Sequence, residues 1–282
     1  MIPSSVERFV EFLKQQGRSQ FTIVAYKKDL EQFIGFLASQ EKNDIRDITK
    51  ENISGFISRL IQNNYTKKSA SRKLNSIRTF FRYLKSEGVI GQNPALDVSH
   101  PKYAQIPPRI LTKIEYRALR DISKEDSRTY AIIEVLLQTG LRIGELASLT
   151  IEDVKKDSLV VQPYGKGQGR AVPANHIVQA AVSSYLKTRG GNTSRHLFIT
   201  RNGNPLLIRN IRQIISRCFH EVGIENATVN DLRNTFIAHQ LANGASVEYI
   251  ARVVGHRRLS STEKFLSLSK ERFEKKEKLG EL

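Results

Sequence analysis

A proline-bearing stretch in the first half of the chain most strongly constrains its fold. Four of the chain's eight prolines fall in this stretch: Pro94, Pro101, Pro107 and Pro108. Proline lacks an N–H and disfavours helix at the preceding residue, so closely spaced prolines favour extended backbone. The chain is therefore expected to form two domains joined by this extended segment. The predicted division is a helical first domain at 1–93, a linker at 94–110, a second domain at 111–268 and a tail at 269–282.

The first domain has the apolar spacing of four helices. Ser4 and Glu7 fit a capping box at the start of the first helix. The next helices are expected through Tyr26 and Leu37, from Thr49, and from Thr66 to Gly88. Residues 78, 82 and 85 of the fourth helix are basic and share one face, opposite its apolar side.

The second domain has a mixed pattern. Leu159–Val161 and Arg170–Pro173 flank a glycine-rich turn and predict a β-hairpin. Helical patterns precede and follow the hairpin. They cover residues 113–122, 129–139, 143–149, 177–188, 208–222, 232–242, 247–253 and 261–268. The fold class expected is mainly α with a small β-sheet: a helical-bundle domain plus a mixed α/β domain.

The net charge of +17 and the pI near 10.0 indicate a polyanionic partner. A generally basic surface, or a membrane-surface protein, would also be basic. Both are disfavoured because the excess is concentrated between Gly55 and Ile90, where eight basic residues face Glu87 as the only acid. Nucleic acid is the better interpretation. Within this segment, the residues predicted to contact DNA are Lys67, Lys68, Arg72, Lys73, Arg78, Arg82 and Lys85.

Cysteine content and hydropathy exclude several classes of protein. Cys218 is the single cysteine, so the chain has no intramolecular disulfide and no cysteine-rich zinc site. Its apolar neighbours predict that it is a buried packing residue. No stretch is long and apolar enough to span a bilayer, and the N-terminus lacks a signal-peptide core. A cytoplasmic protein is expected.

Five motifs follow one another in the second domain. They are Leu137–Leu146 around Arg142, Tyr164–Arg170 around Lys166, Asn230–Arg233, Val253–His256 and Thr262–Leu266 around Phe265. In this order they resemble the catalytic domain of the tyrosine recombinases, which include phage integrases and Xer-type proteins. That family's pattern is Arg, Lys, His-x-x-Arg, Gly-His and a nucleophilic Tyr nine positions later. The resemblance covers essentially the whole chain, although in the first domain it is a helical pattern only.

The resemblance implies metal-free breaking and rejoining of DNA, without a cofactor, by two domains that clamp the duplex. Arg142 and Arg233 would contact the non-bridging oxygens of the scissile phosphate, where planar guanidinium groups stabilise developing charge. Lys166 would protonate the leaving 5′ oxygen. His256 would donate a hydrogen bond to the phosphate or orient the nucleophile. Glu145, in Arg-x-x-Glu spacing, is expected to hold Arg142 or nearby backbone.

Two positions depart from the family's pattern. Asn230 occupies the place of the His in His-x-x-Arg; it can donate a hydrogen bond but cannot act as an acid or base. Phe265 occupies the place of the nucleophilic Tyr, and a phenyl ring has no nucleophilic oxygen. Tyr249, Ser267 and Ser269 are weak substitutes. Phe265 is either an engineered replacement in a working enzyme or the mark of a natural degenerate member, and one sequence leaves both open.

The function expected is therefore DNA binding by a tyrosine-recombinase scaffold that binds and synapses its sites without cleaving them. The partner is double-stranded DNA with paired recombination sites. The free protein is expected to be a monomer or dimer, and the synapsed complex a tetramer whose subunits contact one another through the tail at 269–282. A second recombinase is an open alternative. So is a non-catalytic regulator or architectural protein on the same scaffold; a type IB topoisomerase-like enzyme fits the length less well.

Overall fold

The computed structural model describes residues 2–163, 168–190 and 194–268. The chain divides into two compact units, Met1–Ile106 and Pro107–Leu282. Both are built mainly from helices, and the strands in the described part form one two-stranded sheet in the second unit. The predicted fold class, mainly α with a small sheet, is confirmed. Lys166 and the tail at 269–282 lie outside the described residues.

Four helices form the first unit. They are α1 (Ile2–Gln15), α2 (Gln20–Ala38), α3 (Lys50–Gln62) and α4 (Lys67–Ser86). Their apolar faces meet in one core in which Phe9, Phe33, Phe80 and Phe81 are completely buried. Ser19 and Thr66 begin α2 and α4, because each side-chain oxygen accepts a hydrogen bond from a backbone N–H of the first turn.

The start of α1 differs from the prediction. The capping box at Ser4 and Glu7 is wrong, because α1 already begins at Ile2 and both residues lie inside the helix. Ile2 is buried with Val6 and Phe9 in the core. Burial of this additional apolar side chain extends the helix beyond the local capping signal.

The second unit contains eight helices and the predicted hairpin in its described part. The helices are α5 (Lys113–Ser123), α6 (Ser127–Thr139), α7 (Ile143–Ser148), α8 (His176–Thr188), α9 (Ile208–Glu221), α10 (Val229–Ala242), α11 (Val247–Val254) and α12 (Ser260–Glu263). Strands β1 (Ser158–Val161) and β2 (Arg170–Pro173) pair antiparallel, with Leu159 opposite Val172. α6 lies at the centre, and Ile132, Ile133, Val135 and Leu136 are completely buried. Cys218 is buried, as predicted.

Two glycines end helices in the left-handed conformation and thereby place functional residues. Gly140 follows α6 with φ of 62°, and Gly255 follows α11 with φ of 68°. A side chain at Gly140 would also have no room, since a Cβ atom would lie 2.4 Å from Cδ1 of Phe236. The tight turn at Gly140 makes Arg142 the residue that precedes α7.

None of the helices in the described ranges has the length and apolar content that a membrane span requires.

Candidate functional site

Arg142 is held by a buried carboxylate at the start of α7. Glu145 accepts hydrogen bonds from the backbone N of Arg142 at 2.8 Å and from its Nη1 at 2.9 Å. The Glu145 side chain is almost completely buried, whereas that of Arg142 is 39% exposed. Arg142 thus keeps a solvent-facing guanidinium in a fixed position. The expectation that Glu145 holds Arg142 is confirmed.

A third residue, Arg170 of β2, completes this ion pair. Its two terminal nitrogens donate to the two carboxylate oxygens of Glu145 at 2.8 and 3.0 Å, and its Nε donates to the carbonyl of Val253. Burial opposes ionisation of Glu145, but the hydrogen bonds from Arg170 and from the Arg142 backbone hold the pKa of that carboxyl below its ordinary value. Sequence reasoning missed Arg170, although it ends the glycine-rich motif.

Arg233 lies in α10 and is buried, and none of the described residues forms an ion pair with it. Its Nη1 donates to the carbonyl of Gly140 at 2.6 Å, and its Nη2 donates to the carbonyl of Val254 at 2.7 Å. Arg142 donates to the next carbonyl, that of Gly255, at 2.7 Å. Burial, with repulsion from Arg142, lowers the pKa of Arg233 to about 9. The two guanidinium groups are thus brought together on consecutive carbonyls.

Gly255 makes room for this arrangement. A Cβ atom at this position would lie 3.1 Å from Cζ of Arg170 and 3.3 Å from Nη1 of Arg142. Its left-handed φ also favours glycine on conformational grounds. Gly255 of the Gly-His motif therefore helps to position Arg142 and Arg170, and His256 follows it directly.

His256 lies beside the arginines and is kept neutral. Its Nδ1 is 2.8 Å from Oγ1 of Thr262, a completely buried side chain. Burial lowers the pKa of His256 to about 4, and the nearby charges of Arg233 and Arg142 act in the same direction. At neutral pH the ring is therefore an uncharged hydrogen-bonding group.

Phe265 follows α12 and its ring is 1% exposed. The ring belongs to the hydrophobic core of the second unit, and the ammonium group of Lys264 lies 5.2 Å from its centroid. The backbone N of Phe265 donates to the carbonyl of Thr262 at 2.9 Å, which links residue 265 to the residue that contacts His256. The position expected for the nucleophile thus holds a packing side chain.

Asn230 is exposed in the first turn of α10, one helical turn before Arg233. It lines a cavity of about 410 Å³ together with Arg212, Ser216, Thr228 and apolar side chains of α7 and α9. Lys166, the remaining expected site residue, falls outside the described ranges.

The charge balance of this cluster suits an anion. Arg142, Arg170 and Arg233 surround Glu145, so three guanidinium charges meet one carboxylate. An anion such as a phosphate would compensate the excess. No group of His, Cys, Asp and Glu suitable for a metal ion occurs among the residues described.

The basic residues of the first unit occupy two different environments. Arg72 and Lys73 are bound to Asp29 of α2, which is 1% exposed. Arg72 donates through both terminal nitrogens and is half-exposed, whereas Lys73 is buried and donates at 2.8 Å. Ser76 adds a hydrogen bond of 2.7 Å to the same carboxylate. Lys73 is therefore an internal cation.

Arg78 also differs from the free cationic side chain that its spacing predicts. It donates to the carbonyls of Ala95, Leu96 and Val98, and its Nη1 lies 2.8 Å from Nε2 of His100. This residue holds the segment after α4 against the helix. Five of the predicted DNA-contact residues are exposed: Lys67, Lys68, Arg72, Arg82 and Lys85.

Comparison with known proteins gives matches to both units. Residues 109–272 match the model of the phage integrase family, and residues 6–88 match that of the phage integrase N-terminal SAM-like domain. Tyrosine recombinase XerC of Thermodesulfovibrio yellowstonii is 34% identical over 273 residues, which span 92% of this chain and 89% of that protein.

Two solved structures of lambda integrase share the fold. A dimer bound to a COC′ core site matches with a TM-score of 0.79 and 18% identity, covering 100% of this chain and 79% of the other. A tetramer bound to a Holliday junction matches with a TM-score of 0.76 and 20% identity, covering 91% and 77%.

Proposed function

We propose that this chain, which belongs to the phage integrase family of tyrosine recombinases, binds duplex DNA at paired recombination sites without cleaving it. The observation that carries the proposal is the buried phenyl ring of Phe265, which stands nine residues after His256. The cluster of Arg142, Arg233 and His256 favours a phosphodiester, and the missing hydroxyl prevents a covalent link to it.

The phosphate-binding half of the proposal is supported by the geometry of the two arginines. Arg142 presents a partly exposed guanidinium, and Arg233 carries a charge that burial and Arg142 destabilise. A phosphate between them would accept hydrogen bonds and relieve the repulsion. Lys166 would add a proton donor to the leaving 5′ oxygen, as it does in the family's pattern.

The DNA-binding half is supported by the charge of the first unit. Lys67, Lys68, Arg82 and Lys85 are free to meet phosphates, and Arg72 is half-exposed on the same helix. We extend to this chain the assemblies of lambda integrase, a dimer on a core site and a tetramer on a Holliday junction. On that basis paired sites would be synapsed by four subunits, with the segment 269–282 contributing contacts between them.

Restoring one oxygen tests the proposal. Phe265→Tyr is expected to form a covalent adduct with a nicked duplex that has first been selected for binding to the unmodified chain. The adduct is scored as a DNA-shifted band on a denaturing gel. The unmodified chain is expected to give no adduct, because no hydroxyl stands at position 265.

Arg233→Ala in the Phe265→Tyr background is the matched control. It keeps the new hydroxyl but removes a principal counter-ion of the transition state, so adduct formation is expected to fall by roughly 100-fold or more. An adduct formed by the unmodified chain would overturn the assignment of position 265, and Tyr249, which is exposed, would then be mapped first.

A second function, that of a non-catalytic DNA-binding regulator, is favoured by one observation. Asn230 and Phe265 are two departures from the family's pattern in one chain, and an engineered replacement of the nucleophile accounts only for Phe265. If Phe265→Tyr binds the selected duplex and stays inert, this second function replaces the first. Asn230→His in the same background then measures how much of the lost rate belongs to residue 230.

A further inference from the structure

We propose that Thr262 is a positioning residue that fixes His256 in the tautomer whose Nε2 carries the ring proton. Thr262 lies in α12, three residues before Phe265, and its side chain is completely buried. Its Oγ1 is 2.8 Å from Nδ1 of His256. Its carbonyl accepts the backbone N–H of Phe265, so the same residue contacts both the histidine and the nucleophile position.

The direction of the hydrogen bond follows from the hydroxyl proton. Within the described ranges, Oγ1 of Thr262 has no side-chain hydrogen bond other than the one with Nδ1 of His256. If Nδ1 carried the proton and donated it, the buried hydroxyl proton of Thr262 would lack an acceptor, which costs about 1–3 kcal/mol. Both groups are satisfied when Thr262 donates to Nδ1. A neutral imidazole then carries its single proton on Nε2.

The ring stays neutral because of its surroundings. The charged groups that act on it most strongly within the described part of the chain are cationic: Arg233, Arg142, Lys264 and Arg170, from α10, the residue before α7, the residue after α12 and β2. Together with burial, which is the larger cause, they lower the pKa of His256 to about 4. A neutral ring has one N–H to give, so the tautomer decides which ring nitrogen can serve a ligand.

The consequence for the site rests on the proposed function. Nδ1 is occupied by Thr262, so Nε2 is the nitrogen that can donate to a phosphate held by Arg142 and Arg233. In the opposite tautomer Nε2 would be an acceptor and would repel an anionic oxygen. Thr262 therefore determines whether His256 assists the two arginines or opposes them, although it does not itself contact the phosphate.

The tautomer can be measured without any cleavage reaction. Long-range ¹H–¹⁵N spectra of the full chain distinguish a protonated ring nitrogen from an unprotonated one, and His256→Gln identifies the signals of His256 among six histidines. We expect Nε2–H in the unmodified chain and in Thr262→Ser, which keeps the hydroxyl. In Thr262→Val, which keeps the volume but loses the hydroxyl, we expect a mixture of both tautomers.

A protonated Nδ1 in the unmodified chain would overturn the proposal. So would unchanged His256 signals in a folded Thr262→Val protein. If Thr262→Val does not fold, the spectra of the unmodified chain and of Thr262→Ser still decide the tautomer. Thr129→Val, which removes another buried threonine hydroxyl from α6, controls for a general effect of such a replacement.

A second measurement separates this inference from the proposed function. In the Phe265→Tyr background, Thr262→Val is expected to reduce adduct formation by roughly 100-fold, and Thr262→Ser to restore it. If Phe265→Tyr is inert, the proposed function fails while the spectra still decide the tautomer. If Phe265→Tyr is active and Thr262→Val leaves the rate unchanged, the positioning role fails alone.

Discussion

Each unit contains a buried carboxylate that binds two cationic side chains. The two clusters differ in the further groups that lie beside them. In the first unit Asp29 binds Arg72 and Lys73, and Ser76 supplies a further hydrogen bond. In the second unit Glu145 binds Arg142 and Arg170. One cation of each cluster is shielded from solvent, Lys73 at 6% and Arg170 at 10% exposure, and the other is more exposed, Arg72 at 53% and Arg142 at 39%.

The second cluster has two additional groups, and these account for its chemistry. Arg233 and His256 lie beside it, and burial lowers the pKa of both, with the charge of Arg142 contributing. The Asp29 cluster fixes side chains and satisfies their hydrogen bonds, whereas the Glu145 cluster has a third guanidinium group, that of Arg233, beside it. A buried ion pair alone thus indicates a fixed side-chain arrangement, whereas additional positive charge beside the pair indicates a candidate binding site for an anion.

Replacing Glu145 is expected to have the largest effect. Glu145→Gln removes the carboxylate charge and leaves two guanidinium groups facing each other, so the free energy of unfolding is expected to fall by about 3–5 kcal/mol. Urea denaturation measures the loss. In the Phe265→Tyr background the same change is expected to abolish the adduct, because Arg142 loses its anchor. An adduct at an unchanged rate would show that Glu145 has a structural role only.

Replacing Asp29 is expected to lower stability somewhat less. Asp29→Asn leaves Lys73 buried without its ion pair, but Arg72 can turn to water, so a loss of about 3 kcal/mol is expected. The adduct-forming rate of the Phe265→Tyr protein on bound DNA is expected to stay unchanged, because the cluster lies in the other unit. The readout is the single-turnover rate at saturating DNA. A rate loss as large as that of Glu145→Gln would contradict the division of roles.

The pH dependence of stability gives the smallest of the three effects. As the pH falls through 6.5, His256 takes up a proton in the unfolded chain, but in the folded chain only near its pKa of about 4. The contribution of His256 to the free energy of unfolding is therefore fully present above pH 6.5, and it declines as the pH falls from about 6.5 to 4. The pKa values of His100 and His239 are also lowered, by burial first, so these residues likewise reduce stability as the pH falls below 6.5.

Urea midpoints at pH 7 and pH 5 measure this decline. His256→Gln is expected to reduce the difference between the two midpoints, whereas Asp29→Asn is expected to leave it unchanged. The pKa of Asp29 is lowered from 3.8, because the hydrogen bonds of Arg72 and Lys73 outweigh the opposing effect of burial. Its contribution is thus present above about pH 3.8 and is lost only below it. An equal difference between the pH 7 and pH 5 midpoints in the unmodified and His256→Gln proteins would contradict the assignment of this decline to His256.

The fold could be predicted from the sequence because periodic apolar residues and capping residues act locally. Ser19, Thr66 and Thr112 begin helices by contacts within one turn, and Gly140 and Gly255 end them. The contact between Arg142 and Glu145 is also local, three residues apart at one helix start, and it was expected from the resemblance to the family's Arg-x-x-Glu spacing.

Contacts between distant segments could not be predicted from spacing. Arg170 reaches Glu145 and Val253 only because β2 packs beside α11. Lys73 and Arg78 have the spacing of surface cations, yet Asp29 comes from another helix and the carbonyls of residues 95–98 come from the segment that folds back on α4. A helical pattern states which residues share a face and leaves open what covers that face.

Gly255 positions two arginines through the atoms that it lacks. A methyl group there would contact Arg142 and Arg170, which come from the residue before α7 and from the hairpin, far earlier in the chain. Gly255→Ala would therefore displace the guanidinium groups of Arg142 and Arg170 and change the distribution of positive charge. It would do so although alanine carries no charge and donates no side-chain hydrogen bond. The space left by the missing side chain of Gly255 is as much a component of the proposed anion site as the guanidinium groups beside it.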